Sequence, residues 1–128
     1  MDQTGDWRTV TLSTDNSPPE TSTSSPATGT DFTLGTQISL TGGATDDVAV
    51  TRVEVAIYNS ALETWDGVAF TPVYTRVDAI LTPSSGPLVT WTYSFTPPTT
   101  GTISFAAFAE DAVGNNDMTG EWRTINVI

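Results

Sequence analysis

The side chains with the most chemistry to offer are oxygen donors gathered in three short stretches. The densest holds Glu110, Asp111, Asn115, Asn116 and Asp117, with Gly114 among them to allow a sharp bend. Asp46 and Asp47 form a second group, and Asp15 and Asn16 a third. Carboxylates and amide carbonyls suit a hard cation, and Ca2+ takes about six to eight such oxygens. Without a cation, clustered carboxylates repel and either splay into water or take up protons. The competing reading is plainer. Asp and Asn favour turns because they hydrogen-bond their own backbone, so the same residues can be solvated turns. Asp111 is the best single ligand candidate, followed by Asp117 and Asp47.

Other chemistry is scarce. The chain has no His, no Cys and no Lys, and its four cations are all Arg. That removes disulfides, thiolate chemistry, the commonest zinc ligand and any Ser-His-Asp arrangement. No Gly-rich phosphate loop is present. Glu54, Glu63, Asp66, Asp78 and Glu110 show no spacing that pairs two acids across a pocket, as glycoside hydrolysis requires. The expectation is a protein that is not an enzyme.

Fifteen acidic residues against four Arg leave a net charge of −11 over 128 residues. This opposes nucleic-acid binding, which needs basic patches, and binding to an anionic membrane surface. It favours solubility and a divalent-cation partner. No run reaches membrane-spanning length, and Met1 leads directly into DQTGDW with no apolar leader. The Thr/Ser/Gly/Pro-rich, lysine-free composition fits a secreted or cell-surface protein.

The elements that would position the acids are strands. Ile103, Phe105, Ala107 and Ala109 alternate toward one face, with Phe108 a large exception on the other, and the acidic loop begins where this pattern stops. Ile38 and Leu40 alternate before residues 42–47, which read as a turn. Val53, Val55 and Ile57 form one face of the clearest strand, opposite Arg52, Glu54 and Tyr58. Residues 70–81 read as a further strand, with Val73, Thr75, Val77 and Ala79 on one parity. Val89, Trp91, Tyr93 and Phe95 alternate again. Trp122 is out of phase with Ile125 and Val127, which suggests a bulge or a change of partner there. Trp65, Phe70, Trp91 and Tyr93 could line a sugar platform, although such residues more often fill a core. No window has helical periodicity. About seven short strands with frequent turn signals give an all-β, immunoglobulin-like sandwich of Greek-key topology.

Residues 4–10, TGDWRTV, recur as residues 119–125, TGEWRTI, with five of seven positions identical. The reading is a tandem array. Residues 1–13 would be the last strand of a preceding repeat, residues 14–30 a Pro/Ser/Thr-rich linker and first edge strand, and residues 31–128 the sandwich. Two similar strands of one domain remain the alternative.

Together, Asp15-Asn16-Ser17-Pro18-Pro19, Gly43-Ala44-Thr45-Asp46-Asp47, Trp65-Asp66-Gly67, Trp91-Thr92-Tyr93 and Ala109-Glu110-Asp111-Ala112-Val113-Gly114-Asn115-Asn116 form a pattern. It resembles the bacterial immunoglobulin-like repeats of large secreted and surface proteins, including cadherin-like and repeat-in-toxin adhesins. The resemblance implies a spacer, adhesin or accessory module, and in many cadherin-like relatives calcium at the module junction. The sandwich topology brings the first strand's start, the second-to-third strand loop and the last hairpin loop to one pole. The expected partners are neighbouring repeats, with a glycan or surface receptor possible for an adhesin. The expected state is a monomer, with strand donation by residues 1–13 as the route to any oligomer. The alternative function is a carbohydrate- or ligand-binding accessory module of a secreted enzyme.

Overall fold

One strand turns a corner and so builds both layers. The computed structural model describes residues 18–117 and 120–128. Within these, the strands are β1 (Glu20–Ser25), β2 (Asp31–Phe32), β3 (Ile38–Asn59), β4 (Thr64–Trp65) and β5 (Phe70–Thr71), followed by β6 (Val77–Asp78), β7 (Ile80–Thr82), β8 (Gly86–Phe95), β9 (Gly101–Asp111) and β10 (Arg123–Val127). The first part of β3 pairs with β8, from Ile38↔Phe95 to Thr45↔Leu88, and with β1, from Ser25↔Thr41 to Glu20↔Thr45. Its second part pairs with β9, from Val50↔Asp111 to Asn59↔Ile103. Register shifts on both sides of Val50 mark the corner. One layer is thus β1–β3–β8–β7. The other is β2–β10–β9–β3, with β4 and β6 on the far side of β3 and β5 beyond β4.

The period-two pattern explains the core. Ile38, Leu40, Val89, Trp91 and Phe95 from the first layer meet Val53, Val55, Ile57, Phe105 and Ile125 from the second in one buried cluster. Each such side chain taken from water contributes roughly 1.5–3 kcal/mol. Outward positions on β3 and β9 carry Glu54, Tyr58, Ser104 and Phe108. The immunoglobulin-like sandwich expected from the sequence is the fold found.

Three local expectations are corrected. Residues 42–45, read as part of a turn, lie inside β3, and the corner comes only at residues 46–49. Gly42 is there for proximity: a Cβ on it would sit against the Ser22 carbonyl oxygen and 2.6 Å from Trp91 Nε1. The stretch read as a strand over residues 70–81 is three short pieces, because each pairs with a different strand: β5 with β4, β6 with β3 and β7 with β8. Val73 is exposed while Val77 is buried. Finally, β10 pairs with β9 without a shift from Arg123↔Phe105 to Val127↔Gly101. Trp122 is on the outer face, against Tyr58 and Phe108, so its opposite parity needs no bulge.

Candidate functional site

The pole where β1 begins also holds the corner of β3 and the connection from β9 to β10. Asp111 ends β9 and organises the loop after it. Its Oδ1 accepts from the N–H groups of Val113 (3.0 Å) and Asn115 (2.8 Å), and its Oδ2 accepts from Asn115 Nδ2 at 2.9 Å. Gly114 takes φ 93°, a conformation that side-chain-bearing residues rarely adopt. The Ala112 N–H donates to the Ala49 carbonyl at 3.1 Å, which ties this loop to the corner of β3. At that corner Asp46 Oδ2 accepts from the N–H groups of Val48 and Ala49. Asp117 Oδ2 accepts from the Thr21 N–H at 3.1 Å and lies 2.8 Å from Thr21 Oγ1, which fastens the start of β1.

Asp46, Asp111 and Asp117 are therefore buried carboxylates whose oxygens serve as acceptors for loop and edge groups. Asp47 and Asn116 are exposed at the same pole, and Asn115 is half-buried. Glu110 lines a separate open groove of about 630 Å³ with Arg52 and Asp78. Asp15 and Asn16 lie outside the described residues. Among the described residues, no group of three or more His, Cys, Asp or Glu side chains is arranged to hold a metal ion. Asp46 Oδ1 is buried and has no hydrogen-bond partner among the described residues. Asp46 and Asp47 line a cleft of about 360 Å³ with Pro18, Glu20 and Thr45. Glu20 was missed by sequence reasoning. Its signal was its position directly after Pro18-Pro19, where the chain must enter the sandwich.

Further along, side chains protect the edge of β1. Thr23 N–H donates to Glu121 Oε1 at 3.3 Å, and Arg123 donates to the carbonyls of Thr23 (2.6 Å) and Pro26 (3.1 Å). Side chains thus occupy groups that an unprotected edge would offer to another chain. Arg123, together with the Thr23 N–H, holds the Glu121 carboxyl below its usual range. A carboxyl depressed on folding stabilises fully above its unfolded pKa and loses that effect as pH falls through the folded value. The melting-temperature gap between the parent and Glu121→Gln is therefore expected to be widest near neutral pH and to close as pH drops below the ordinary 4.5. Thermal scans of both chains across that range check it, and a gap that stays constant counts against this role.

The aromatic residues singled out in the sequence are packing elements. Trp65 and Trp91 are buried, Phe70 and Tyr93 pack against the core, and Trp65 Nε1 donates to Tyr93 Oη at 3.0 Å. A different aromatic group, not found by sequence reasoning, covers the outer face of β3 and β9. Tyr58 lies between Tyr74 and Trp122, with centroids 6.2 and 5.7 Å away, and Trp122 meets Phe108 edge-on. The Arg76 guanidinium sits 4.1 Å above the Phe108 ring. The rings are inclined to one another rather than coplanar. Alternation alone could not reveal this group, because Tyr74 and Arg76 reach it from the connection between β5 and β6.

No curated protein matches the chain. Among solved structures it is similar to the PKD domain of an M14-like peptidase from Thermoplasmatales archaeon SCGC AB-540-F20. The two share 18% identity over 86% of this chain and 90% of that one, with a TM-score of 0.40. The family model described as bacterial Ig domain matches residues 19–107, from the start of β1 through most of β9. With its two β-layers joined through β3 and its core of alternating residues, the chain belongs to the bacterial Ig domain family.

Proposed function

We propose that this module is a non-catalytic spacer, one repeat of a large bacterial extracellular or surface adhesin, with neighbouring repeats as its partners. Bacterial Ig domains are generally structural or accessory modules and typically extracellular. Among the described residues no helix is long and apolar enough to cross a membrane. The observation that carries the reading is the direction of the chain. Glu20 opens β1 at the pole beside Thr45, and β10 runs to the opposite pole, where Val127 pairs with Gly101. Modules joined in series this way lie end to end.

Calcium at the pole where β1 begins is the finer part of the proposal. Its support is the buried Asp46 Oδ1, without a partner among the described residues, in a cleft shared with Glu20 and Asp47. An ion bridging the incoming linker and the corner of β3 would remove hinge freedom. A ligand at a hundredfold excess over its Kd adds about 2.7 kcal/mol of stability. The test is a two-module chain studied in EDTA and in millimolar CaCl2 by small-angle scattering and thermal unfolding. An extended particle, with a calcium-dependent rise in melting temperature that Asp47→Ala reduces, is expected. A folded-back particle removes the spacer reading, and an unchanged melting temperature removes calcium.

A second reading, a glycan-binding accessory module, is favoured by the half-exposed Tyr74 and Trp122 on the outer face. Tryptophan fluorescence that stays constant across a broad polysaccharide panel dismisses it.

A further inference from the structure

Two features of the second layer's outer face lie side by side. One is the open groove of about 630 Å³ that Arg52, Asp78, Ile80, Leu81 and Glu110 help to line. The other is the aromatic group of Tyr58, Tyr74, Phe108 and Trp122 with the Arg76 guanidinium. They form one continuous surface. Residues two apart on a strand share a face at a step of about 7 Å, so Glu110 follows Phe108 on β9 as Glu54 follows Arg52 on β3. The register sets Arg52 opposite Glu110 and Glu54 opposite Phe108. The Glu54 carboxylate lies 3.4 Å from Arg52 and 3.9 Å from Arg76, which joins the groove to the rings.

The charges here do not cancel. Arg52 is held by Asp78 at 2.7 Å and Arg76 lies beside Glu54, which leaves the half-buried Glu110 with no ion-pair partner among the described residues. The same groove is walled in part by Ile80 and Leu81. A carboxylate beside aliphatic side chains suits Lys or Arg, whose stem covers apolar surface while its head meets the charge. β7 pairs only with β8, so its other edge can accept main-chain bonds from an added strand.

The rings supply the rest of an interface. Ala56 and Ala106, paired on this face, are fully buried, so packing accounts for the inner part of the aromatic group. It does not account for Tyr74 and Trp122 keeping 54% and 49% of their surface in water. Arg76 Nε donates to Tyr74 Oη at 2.6 Å, and its guanidinium rests on Phe108, so these side chains are ordered before any partner arrives. Fixed Trp, Tyr and Arg side chains are what the centres of protein interfaces concentrate. Successive ring pairs are inclined by 36°, 46° and 68°, which gives notches for side chains rather than a flat platform for sugar rings in line.

We propose that this face docks an extended segment of another protein, with a Lys or Arg entering the groove toward Glu110 and an apolar or aromatic side chain about two to four residues away seated against Tyr74 and Trp122. The net charge of −11 favours encounter with a basic partner. The inference goes beyond the spacer reading and does not rest on it.

The test pans the biotinylated full chain against a phage library of random dodecapeptides and synthesises the enriched sequences. These are expected to carry a Lys or Arg near a Trp, Phe, Leu or Ile at that spacing. Their affinity, read by fluorescence polarisation, should fall about tenfold or more in Glu110→Lys and in Tyr74→Ala. It should stay within about twofold in Leu88→Ala, which alters an exposed side chain of the first layer. Replacing the peptide's cation with Glu should abolish binding to the parent and restore binding to Glu110→Lys. Circular dichroism verifies each fold, and the charge swap decides the matter even where Tyr74→Ala unfolds. No enrichment, an acidic consensus, or affinities indifferent to the Glu110 swap overturns the proposal. So does a dimer in sedimentation that Glu110→Lys dissociates, which makes a second copy the occupant. Retention in neutral polysaccharide gels without any enriched peptide also overturns it and makes the face a glycan site. Particle shape plays no part in these readouts, so failure here is distinct from failure of the spacer reading.

Discussion

Gly42→Ala is expected to lower the melting temperature by roughly 10–20 °C, the equivalent of about 3 kcal/mol for a domain of this size. The cause is steric. The new methyl would meet the Ser22 backbone oxygen and lie 2.6 Å from Trp91 Nε1, which donates to that same oxygen at 3.1 Å. Backbone cannot give way like the end of a flexible side chain, so either β1 lifts from β3 or the Trp91 indole leaves its position. Trp91 is among the largest fully buried side chains, and its displacement would open the first layer. Gly43→Ala provides the comparison. Its added methyl would find its nearest neighbours at 3.5 and 3.7 Å, an ordinary contact, so a change within about 1 kcal/mol is expected. Equal losses in the two variants, measured by thermal and urea unfolding, would refute proximity as the reason for Gly42.

Asp111→Ala is expected to cost about 3 kcal/mol even in EDTA, because its buried carboxylate accepts from two backbone N–H groups and the Asn115 amide. Hydrogen bonds to a charged group contribute about 1.5–3 kcal/mol each, and donors left without an acceptor add their own desolvation cost. The loss should reach beyond the loop. The Ala112 N–H ties it to the corner of β3, and Asp117 at its far end fastens Thr21. Hydrogen exchange at Thr21 and Val113 should accelerate together in this variant. Asp111→Asn should be milder, since an amide oxygen can still accept from the two backbone N–H groups. A cost that appears only in calcium would instead identify Asp111 as a metal ligand rather than a loop organiser.

The acidic pole shows how far residue types can be read. Their positions in the chain were legible: the clustering of Asp46, Asp47 and residues 110–117 at one pole follows from strand alternation and from sandwich connectivity, although Asp46 and Asp47 lie at the corner of β3 and Glu110 and Asp111 at the end of β9. What each carboxylate does was not. Asp111 and Asp117 are acceptors for backbone groups, Glu110 faces a different groove, and Asp46 keeps one oxygen without a partner among the described residues. Those roles depend on which amide lies within hydrogen-bond distance, and that is set by the packing of β1 and β3 together with β9.

By itself the sequence determined the all-β class, the inward faces of β3, β8 and β9, and the likeness of residues 5–12 to residues 120–127. These follow from period-two alternation and composition, which act locally and are written residue by residue. Only the tertiary structure decided that Gly42 belongs in a strand, that residues 70–82 divide among three partners, and that Tyr74 and Arg76 join Tyr58, Phe108 and Trp122 on one outer face. Each of these depends on contacts between residues far apart in the chain. A glycine needed for close approach looks the same in sequence as a glycine needed for a turn, until the atoms that approach it are in place.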